Sequence, residues 1–320
     1  MGNVVGRFAP SPTGDLHLGN LRTALVAWLS ARSVGGAFIV RMEDLDRVTS
    51  SPAHETGQLE ALASLGLDWD GPVVRQSERF PMYDAAIDRL ADLGRTYECF
   101  CTRREIREAI SAPHDGNPAS LDWAYPGTCR GLSASERLAL RREGRRPAIR
   151  LRADSAIVEV VDALAGRVDG PIDGPIAGVV DDVVLRRNDG VPAYNLAVVV
   201  DDADQGVTEV VRGDDLLSST PRQVLLQQLL DLPTPTYRHV PLVLGADGVR
   251  LAKRHGAVTL EQLAARGISA EGVLGLLAAS LDLATADEAV TVDDLLNRFD
   301  PRQLPREPWV IPADLQRSEP

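Results

Sequence analysis

Val4-Val5-Gly6-Arg7-Phe8, then Ala9-Pro10-Ser11-Pro12-Thr13-Gly14, then Asp15-Leu16-His17-Leu18-Gly19-Asn20 reads as a strand, a rigid corner and the start of a helix. Val4 to Phe8 is a short apolar run, and the two prolines and the glycine after it can continue neither a strand nor a helix. From about Asn20 the residues Leu21, Leu25, Trp28 and Leu29 recur at helical spacing. Ala37-Phe38-Ile39-Val40-Arg41-Met42 is a second strand, ending in Glu43-Asp44. Strand, helix and strand in so short a stretch make a βαβ unit, which requires a parallel sheet. The corner also suits phosphate, because a helix N-terminus offers free N–H groups and a partial positive charge. His17 can donate a hydrogen bond to a phosphate oxygen, and Gly19 lets a flat nucleotide ring approach the backbone.

Outward from this unit, residues 55–66 and 81–94 have the pattern of amphipathic helices. Near Tyr97 the character changes. Residues 99–130 are rich in Cys, Pro, Gly and Asn, and residues 130–152 hold Arg130, Arg137, Arg141, Arg142, Arg145, Arg146, Arg150 and Arg152 against only Glu136 and Glu143. Ile157–Val161 and Val179–Arg187 alternate like strands. Tyr194–Val200 is an apolar run read as a buried parallel strand before Asp201-Asp202. Val207–Val211 is a further strand before Arg212-Gly213-Asp214-Asp215, and a helix starts at Thr220-Pro221 with Thr220 as its cap. Residues 258–283 are helical, and the proline-rich tail after about 300 reads as coil. The α/β pattern thus occurs twice, over 4–70 and 194–245, which predicts a nucleotide-binding α/β domain split by an insertion.

The chain has 320 residues, about two domains by length, with 44% apolar and 25% charged residues, the balance of an ordinary globular protein. The net charge of −12 excludes a generally basic nucleic-acid-coating protein but permits a local basic face. No apolar run has the length of a membrane span, and the N-terminus lacks a signal core, so the expectation is a cytoplasmic protein. Three cysteines do not make a disulfide framework. Cys99-Phe100-Cys101 and Cys129 supply three thiolates, and a tetrahedral zinc needs a fourth ligand, for which His114 and Asp115 qualify by chemistry.

The string Arg7–Asn20 resembles the signature of the glutamyl-specific class I aminoacyl-tRNA synthetases, with His17-Leu18-Gly19-Asn20 in the place of their HIGH element. Further matches follow in the family's order. Tyr194–Asp202 resembles the segment whose Tyr faces the amino acid. Arg212-Gly213-Asp214-Asp215-Leu216 and Thr220-Pro221-Arg222-Gln223 resemble two more of its elements. Arg250-Leu251-Ala252-Lys253-Arg254 stands where the family has its KMSKS loop. Lys253 takes the place of that loop's second Lys, while Arg250, Ala252 and Arg254 depart from the pattern. The resemblance implies a Rossmann-type parallel sheet split by an inserted zinc-containing subdomain, with a mainly helical C-terminal segment. The implied divisions are 1–98 and 191–245 for the two catalytic halves, 99–190 for the insertion and 246–320 for the KMSKS-like loop and C-terminal segment.

The resemblance also implies ATP with magnesium, L-glutamate and a tRNA as partners. Free glutamate carries two carboxylates and one ammonium, so its site needs cationic donors and one anion. The expected set is Arg7, Ser11, Glu43, Tyr194 and Arg212, with Glu43 at the ammonium and Arg212 and the Tyr194 hydroxyl at the side-chain carboxylate. ATP falls to Thr13, His17, Gly19, Asn20 and Lys253, with His17 and Lys253 as the catalytic pair neutralising phosphate charge. Cys-x-Cys followed by Tyr-x-x-x-Cys is similar to a zinc site of this family, which makes Tyr125 the fourth ligand beside Cys99, Cys101 and Cys129. Only 66 residues follow Arg254 (320 − 254), so the expectation is a chain without an anticodon-binding domain. The chain therefore resembles the short glutamyl-Q tRNA(Asp) synthetase family most. That family activates glutamate without tRNA and transfers it to queuosine in the anticodon of tRNA(Asp). The alternatives are a truncated glutamyl-tRNA synthetase acting on a tRNA 3′ end and an inactive RNA-binding paralogue. The expectations include a monomer whose 130–152 segment contacts the tRNA backbone.

Overall fold

The computed structural model describes residues 4–111, 125–165, 176–251, 258–285 and 287–316. His114 and Asp115, and Ala252, Lys253 and Arg254, lie outside the described residues. β1 (Val5–Phe8) turns through the proline corner into α1 (Leu18–Arg32) and returns as β2 (Ala37–Met42). Then come α2 (Pro52–Ser64), β3 (Val74–Arg75), α3 (Phe80–Asp92), β4 (Thr96–Cys99), α4 (Arg103–Ser111) and α5 (Ala134–Arg142). β5 (Ala148–Leu151), β6 (Ile157–Val160), β7 (Ile176–Val179) and β8 (Val184–Arg186) follow. α6 (Tyr194–Asp204), β9 (Glu209–Gly213), α7 (Thr220–Leu230) and β10 (Thr236–Val240) return to the α/β pattern. The last part holds β11 (Val243–Leu244), α8 (Leu260–Ala265), α9 (Ala270–Ala279), α10 (Val292–Arg298), β12 (Trp309–Val310) and α11 (Ala313–Gln316).

The main sheet runs β10-β9-β1-β2-β3, with every pair parallel. Between its two halves the chain leaves to build the antiparallel sheet β4-β5-β8 and the pair β6-β7. Alternation along the strands separates two cores. Phe38, Val40 and Met42 of β2 join one core with α1 and the C-terminal helices, whereas Ile39 faces the other, formed by α3, α6, α7, β5, β6 and β8. α1 is buried on almost every side because α9 and α10 cover the face the sheet does not. Its end approaches the strands closely: a side chain at Gly36 would meet the Val4 carbonyl oxygen at 2.5 Å.

Three elements differ from the sequence expectations. Tyr194–Val200 opens a helix, α6, and is not a strand. A seven-residue apolar run does not reveal its period, and the deciding residues lie just beyond it. Asp201 and Asp202 are buried two helical turns after Tyr194, held by Arg41 and Arg79, and only a helix carries both carboxylates inward. α7 takes Ser219 as its N-cap residue, and the Thr220 hydroxyl accepts a hydrogen bond from Arg212 instead of capping. The tail is not all coil, since β12 pairs in parallel with β11 and α11 follows.

Arg41 fastens the two halves of the catalytic sheet. Its guanidinium is fully buried, 2.8 Å from Asp202 and 3.7 Å from Asp201 of α6, 2.8 Å from Gln205, and 3.4 Å from Glu43. Burial opposes its charge, but Asp202, Glu43 and Asp201 outweigh burial and raise its pKa. Arg79, the Tyr83 hydroxyl and the Gln76 amide also donate to Asp201, at 2.7 Å, 2.8 Å and 2.8 Å. Removing one partner of a buried ionic network strands the others, at about 3–5 kcal/mol. Arg41→Met should therefore lower the unfolding free energy by about that amount in urea titration, well above the loss expected at a surface arginine.

Candidate active site

The candidate side chains collect at the carboxyl ends of the central strands, where the strand order reverses on either side of β1: Arg7 on β1, Glu43 just after β2, and Arg212 on β9. Open α/β sheets bind ligands in that crevice. Arg7 is buried, donates to the Val211 carbonyl at 3.0 Å and lies 3.6 Å from Asp202, and its Nε has no hydrogen-bond partner among the described residues. Burial pushes the Glu43 carboxyl up, while Arg41 and Arg7 pull it down. Tyr194, in the first turn of α6, senses both signs: burial and Glu43 raise its phenol, and Arg212 and Arg7 lower it. The structure thus brings together Arg7, Glu43, Tyr194 and Arg212.

Arg212 is buried and donates to the His239 imidazole at 3.0 Å, the Gln223 carboxamide oxygen at 2.7 Å and the Thr220 hydroxyl at 2.8 Å. All three acceptors are uncharged. Asp215 is paired at 2.8 Å with Arg250, so it does not neutralise Arg212. A buried guanidinium with neutral partners is a site for an anion.

His17 caps α1. Its Nδ1 accepts from the backbone N–H groups of Gly19 (3.1 Å) and Asn20 (3.3 Å), and the Asn20 side chain accepts from the His17 backbone at 3.2 Å. An accepting Nδ1 leaves the ring's proton on Nε2, a donor fixed by the fold. A Cβ at Gly19 would meet the His17 ring at 2.9 Å, so the glycine gives the imidazole its room. The Gln58 amide clamps the corner through the carbonyls of Ser11 (3.0 Å) and Gly14 (2.7 Å), leaving Ser11 exposed and Thr13 half-buried in front of α1. Lys253 lies outside the described residues. Its flanks frame α1: Leu251 bonds to Val243, and the Val258 carbonyl accepts from Leu18 at 2.9 Å.

The sulfurs of Cys99, Cys101 and Cys129 lie within 4.8 Å of one another. The Tyr125 hydroxyl is 3.3 Å from Cys99 Sγ and 3.6 Å from Cys101 Sγ, and Cys101 and Cys129 are 3.4 Å apart. A tetrahedral ion bonded at about 2.3 Å to sulfur and about 2.0 Å to oxygen needs edges of about 3.8 Å and 3.5 Å. The Cys99–Tyr125, Cys101–Tyr125 and Cys101–Cys129 separations are within a few tenths of an ångström of these figures, so the cluster can hold a metal ion. Burial pushes the Cys101 thiol up to about 12, so binding an ion there displaces a proton. A cleft of about 740 Å³ joins Ser11, Glu43 and Tyr194 on one side to Cys99, Cys101 and Arg150 on the other.

The basic segment divides in two. Arg130 pairs with Asp182 at 2.6 Å, Arg141 with Glu98, and Arg145 with Glu105 at 2.9 Å. The Arg150 guanidinium lies 3.8 Å from the centre of the Tyr125 ring and that of Arg152 5.2 Å from Tyr97. These arginines stitch the inserted region together. Arg142 and Arg146 are exposed, with no ion pair among the described residues.

A family model described as tRNA synthetases class I (E and Q), catalytic domain, matches residues 3–314. The chain belongs to this family. It is a ligase of the class I aminoacyl-tRNA synthetase type, and its fold is that of the family's solved members. A glutamate tRNA ligase from Elizabethkingia meningosepticum, solved with its amino acid, superimposes with a TM-score of 0.80 at 29% identity, covering 98% of this chain and 68% of that one. The glutamyl-Q tRNA(Asp) synthetase of Nocardia farcinica is 58% identical over 98% of this chain and 96% of its own length. A glutamate–tRNA ligase of Nitratidesulfovibrio vulgaris is 41% identical over 93% of this chain and 62% of the ligase. Among the described residues no helix is long and apolar enough to cross a membrane.

Sequence reading missed His239 and Gln223, which contact Arg212, and Asp162, which holds His239. Gln223 was inside a recognised element, but nothing local in the sequence marks His239 or Asp162, which meet across 77 positions.

Proposed function

We propose that this synthetase activates glutamate with ATP in the absence of tRNA and transfers it to queuosine of tRNA(Asp). The observation that carries this reading is the pocket itself: a buried Arg212 hydrogen-bonded only to neutral acceptors, and a Tyr194 phenol that feels the charges of both Arg212 and Glu43. Its charge order, cation then anion, matches the side-chain carboxylate and the ammonium of glutamate. The 58% identity to the Nocardia farcinica protein, against 41% to the glutamate–tRNA ligase, favours queuosine as acceptor.

Activation joins an oxygen of the α-carboxylate to the α-phosphorus of ATP, and the bond to pyrophosphate breaks. Arg7 steadies the attacking carboxylate, Ser11 adds a polar contact, and Thr13, Gly19 and Asn20 line the nucleotide side of the corner. His17 Nε2–H hydrogen-bonds the phosphates and Lys253 neutralises their charge as it moves towards the leaving group. Magnesium brought with ATP screens the same phosphates. A queuosine ring hydroxyl then attacks the carbonyl of glutamyl-AMP; the new ester forms, AMP leaves and the hydroxyl proton passes to solvent. The protein contributes positioning and charge, since no covalent intermediate with the enzyme is required.

The cluster of Cys99, Cys101, Tyr125 and Cys129 holds a structural zinc in this reading, because the donor chemistry and the spacing fit it. Elemental analysis of protein purified with reduced thiols should find one zinc per chain, and Cys129→Ser should abolish it. A metal-free native protein would overturn this assignment.

The acceptor is tested by offering radiolabelled glutamate to tRNA(Asp) with and without queuosine. Label should appear only on the modified RNA, in an RNase fragment containing the anticodon. Label at the 3′ end would make the protein a tRNA-charging enzyme, and no label on either RNA would favour a binding-only role. Arg142→Ala with Arg146→Ala should weaken tRNA binding and flatten its salt dependence, because these two cations are not already paired. Glutamate activation should be unchanged in that variant.

A further inference from the structure

We propose that His239, held by Asp162, is the positioning residue that aims Arg212 at the substrate's side-chain carboxylate without neutralising it. This deepens the glutamate-pocket reading and rests on it.

His239 and Asp162 have fully buried side chains, with Nδ1 and Oδ2 2.6 Å apart. Asp162 Oδ1 accepts from the backbone N–H groups of Leu164 (2.9 Å) and Ala165 (2.6 Å), and Oδ2 also accepts from the His239 N–H at 3.1 Å. Burial alone would raise the Asp162 carboxyl, but the His239 and Ala165 hydrogen bonds outweigh it and hold it low. The opposite edge of the imidazole meets Arg212 Nε at 3.0 Å. An arginine Nε–H can only donate, so His239 Nε2 accepts, and the ring's single proton sits on Nδ1 towards Asp162. Burial, reinforced by Arg212 and opposed by Asp162, lowers the His239 pKa, which keeps the ring neutral. The Tyr237 ring stacks beside the imidazole at 6.1 Å and 11°, and the Arg212 guanidinium lies 5.2 Å from the same ring centre. Arg212 is therefore fixed in plane and in rotation.

The order of groups decides what the pocket binds. A carboxylate placed directly on Arg212 would cancel its charge. The imidazole instead separates the Asp162 anion from Arg212 by the width of a ring, so Arg212 is oriented by a neutral acceptor and keeps a full charge for glutamate. Gln223 acts alike from the other side: its amide donates to Asn195 at 3.1 Å, which turns its oxygen to Arg212. Asp162 also carries this function across the fold. It follows β6, outside the main sheet, and Ala163 N–H docks on the Tyr237 carbonyl at 2.8 Å.

The test is steady-state ATP–pyrophosphate exchange with separate titrations of glutamate and ATP. In Asp162→Asn the amide oxygen keeps the Leu164 and Ala165 bonds, so its NH₂ faces His239 and drives the ring proton to Nε2. Two donors then oppose each other at Arg212. The KM for glutamate should rise about tenfold or more, with little change in the KM for ATP. His239→Gln, which restores an acceptor oxygen, should keep the glutamate KM close to the wild-type value, whereas His239→Leu should raise it as Asp162→Asn does. A natively folded Asp162→Asn with an unchanged glutamate KM, or with both KM values raised alike, would overturn the inference. If Asp162→Asn does not fold, equal glutamate KM values for the Gln and Leu variants would overturn it. A wild-type protein without glutamate-dependent exchange would instead overturn the pocket reading, and this inference with it.

Discussion

The buried contact between Arg41 and the carboxylates of Asp201 and Asp202 is the constraint on which the rest of the structure depends. Arg41 belongs to the first βαβ unit and the two aspartates to a helix some 160 positions later. Neither partner is tolerable alone in that setting, since an isolated buried charge is far costlier than a paired one. Their pairing therefore commits the chain to bringing its two α/β halves together around everything inserted between them. It also sets the site. The same guanidinium steadies Glu43, the same Asp202 lies 3.6 Å from Arg7, and the helix carrying both aspartates presents Tyr194 at its other end. Framework and pocket share side chains, so the pocket is built by folding and not added to a finished surface.

The two arginines of the pocket have different electrostatic company. Arg7 stands close to carboxylates, and Arg212 stands among neutral acceptors. In the proposed pocket this places uncompensated positive charge at the substrate's side chain and the negative charge of Glu43 at its ammonium. Glutamine has the same shape as glutamate but brings no charge to Arg212, so discrimination between them follows from which guanidinium is left unneutralised.

Much of this was legible in the sequence where chemistry and spacing coincide. The proline corner and the following run announced β1, α1 and β2, because prolines and a glycine punctuate and the leucines keep a helical period. The three cysteines and Tyr125, drawn together by resemblance, meet in space. Reading failed where the decisive partner is remote. Val198-Val199-Val200 looks like a strand to local preference, and only the burial of Asp201 and Asp202 against Arg41 and Arg79 explains the helix. The arginines of 130–152 read as one charged surface, yet most of them answer to Glu98, Glu105, Asp182 and two tyrosine rings. His239 and Asp162 could not be foreseen, since each is an ordinary residue until the fold sets the imidazole against Arg212.

The central claim is a preformed glutamate site that works before any RNA arrives. Its most direct measurement is pyrophosphate exchange into ATP by the tRNA-free protein, compared between glutamate and glutamine at equal concentration. The account predicts exchange with glutamate and essentially none with glutamine. No exchange with glutamate unless tRNA is added, or equal exchange with the two amino acids, would contradict it.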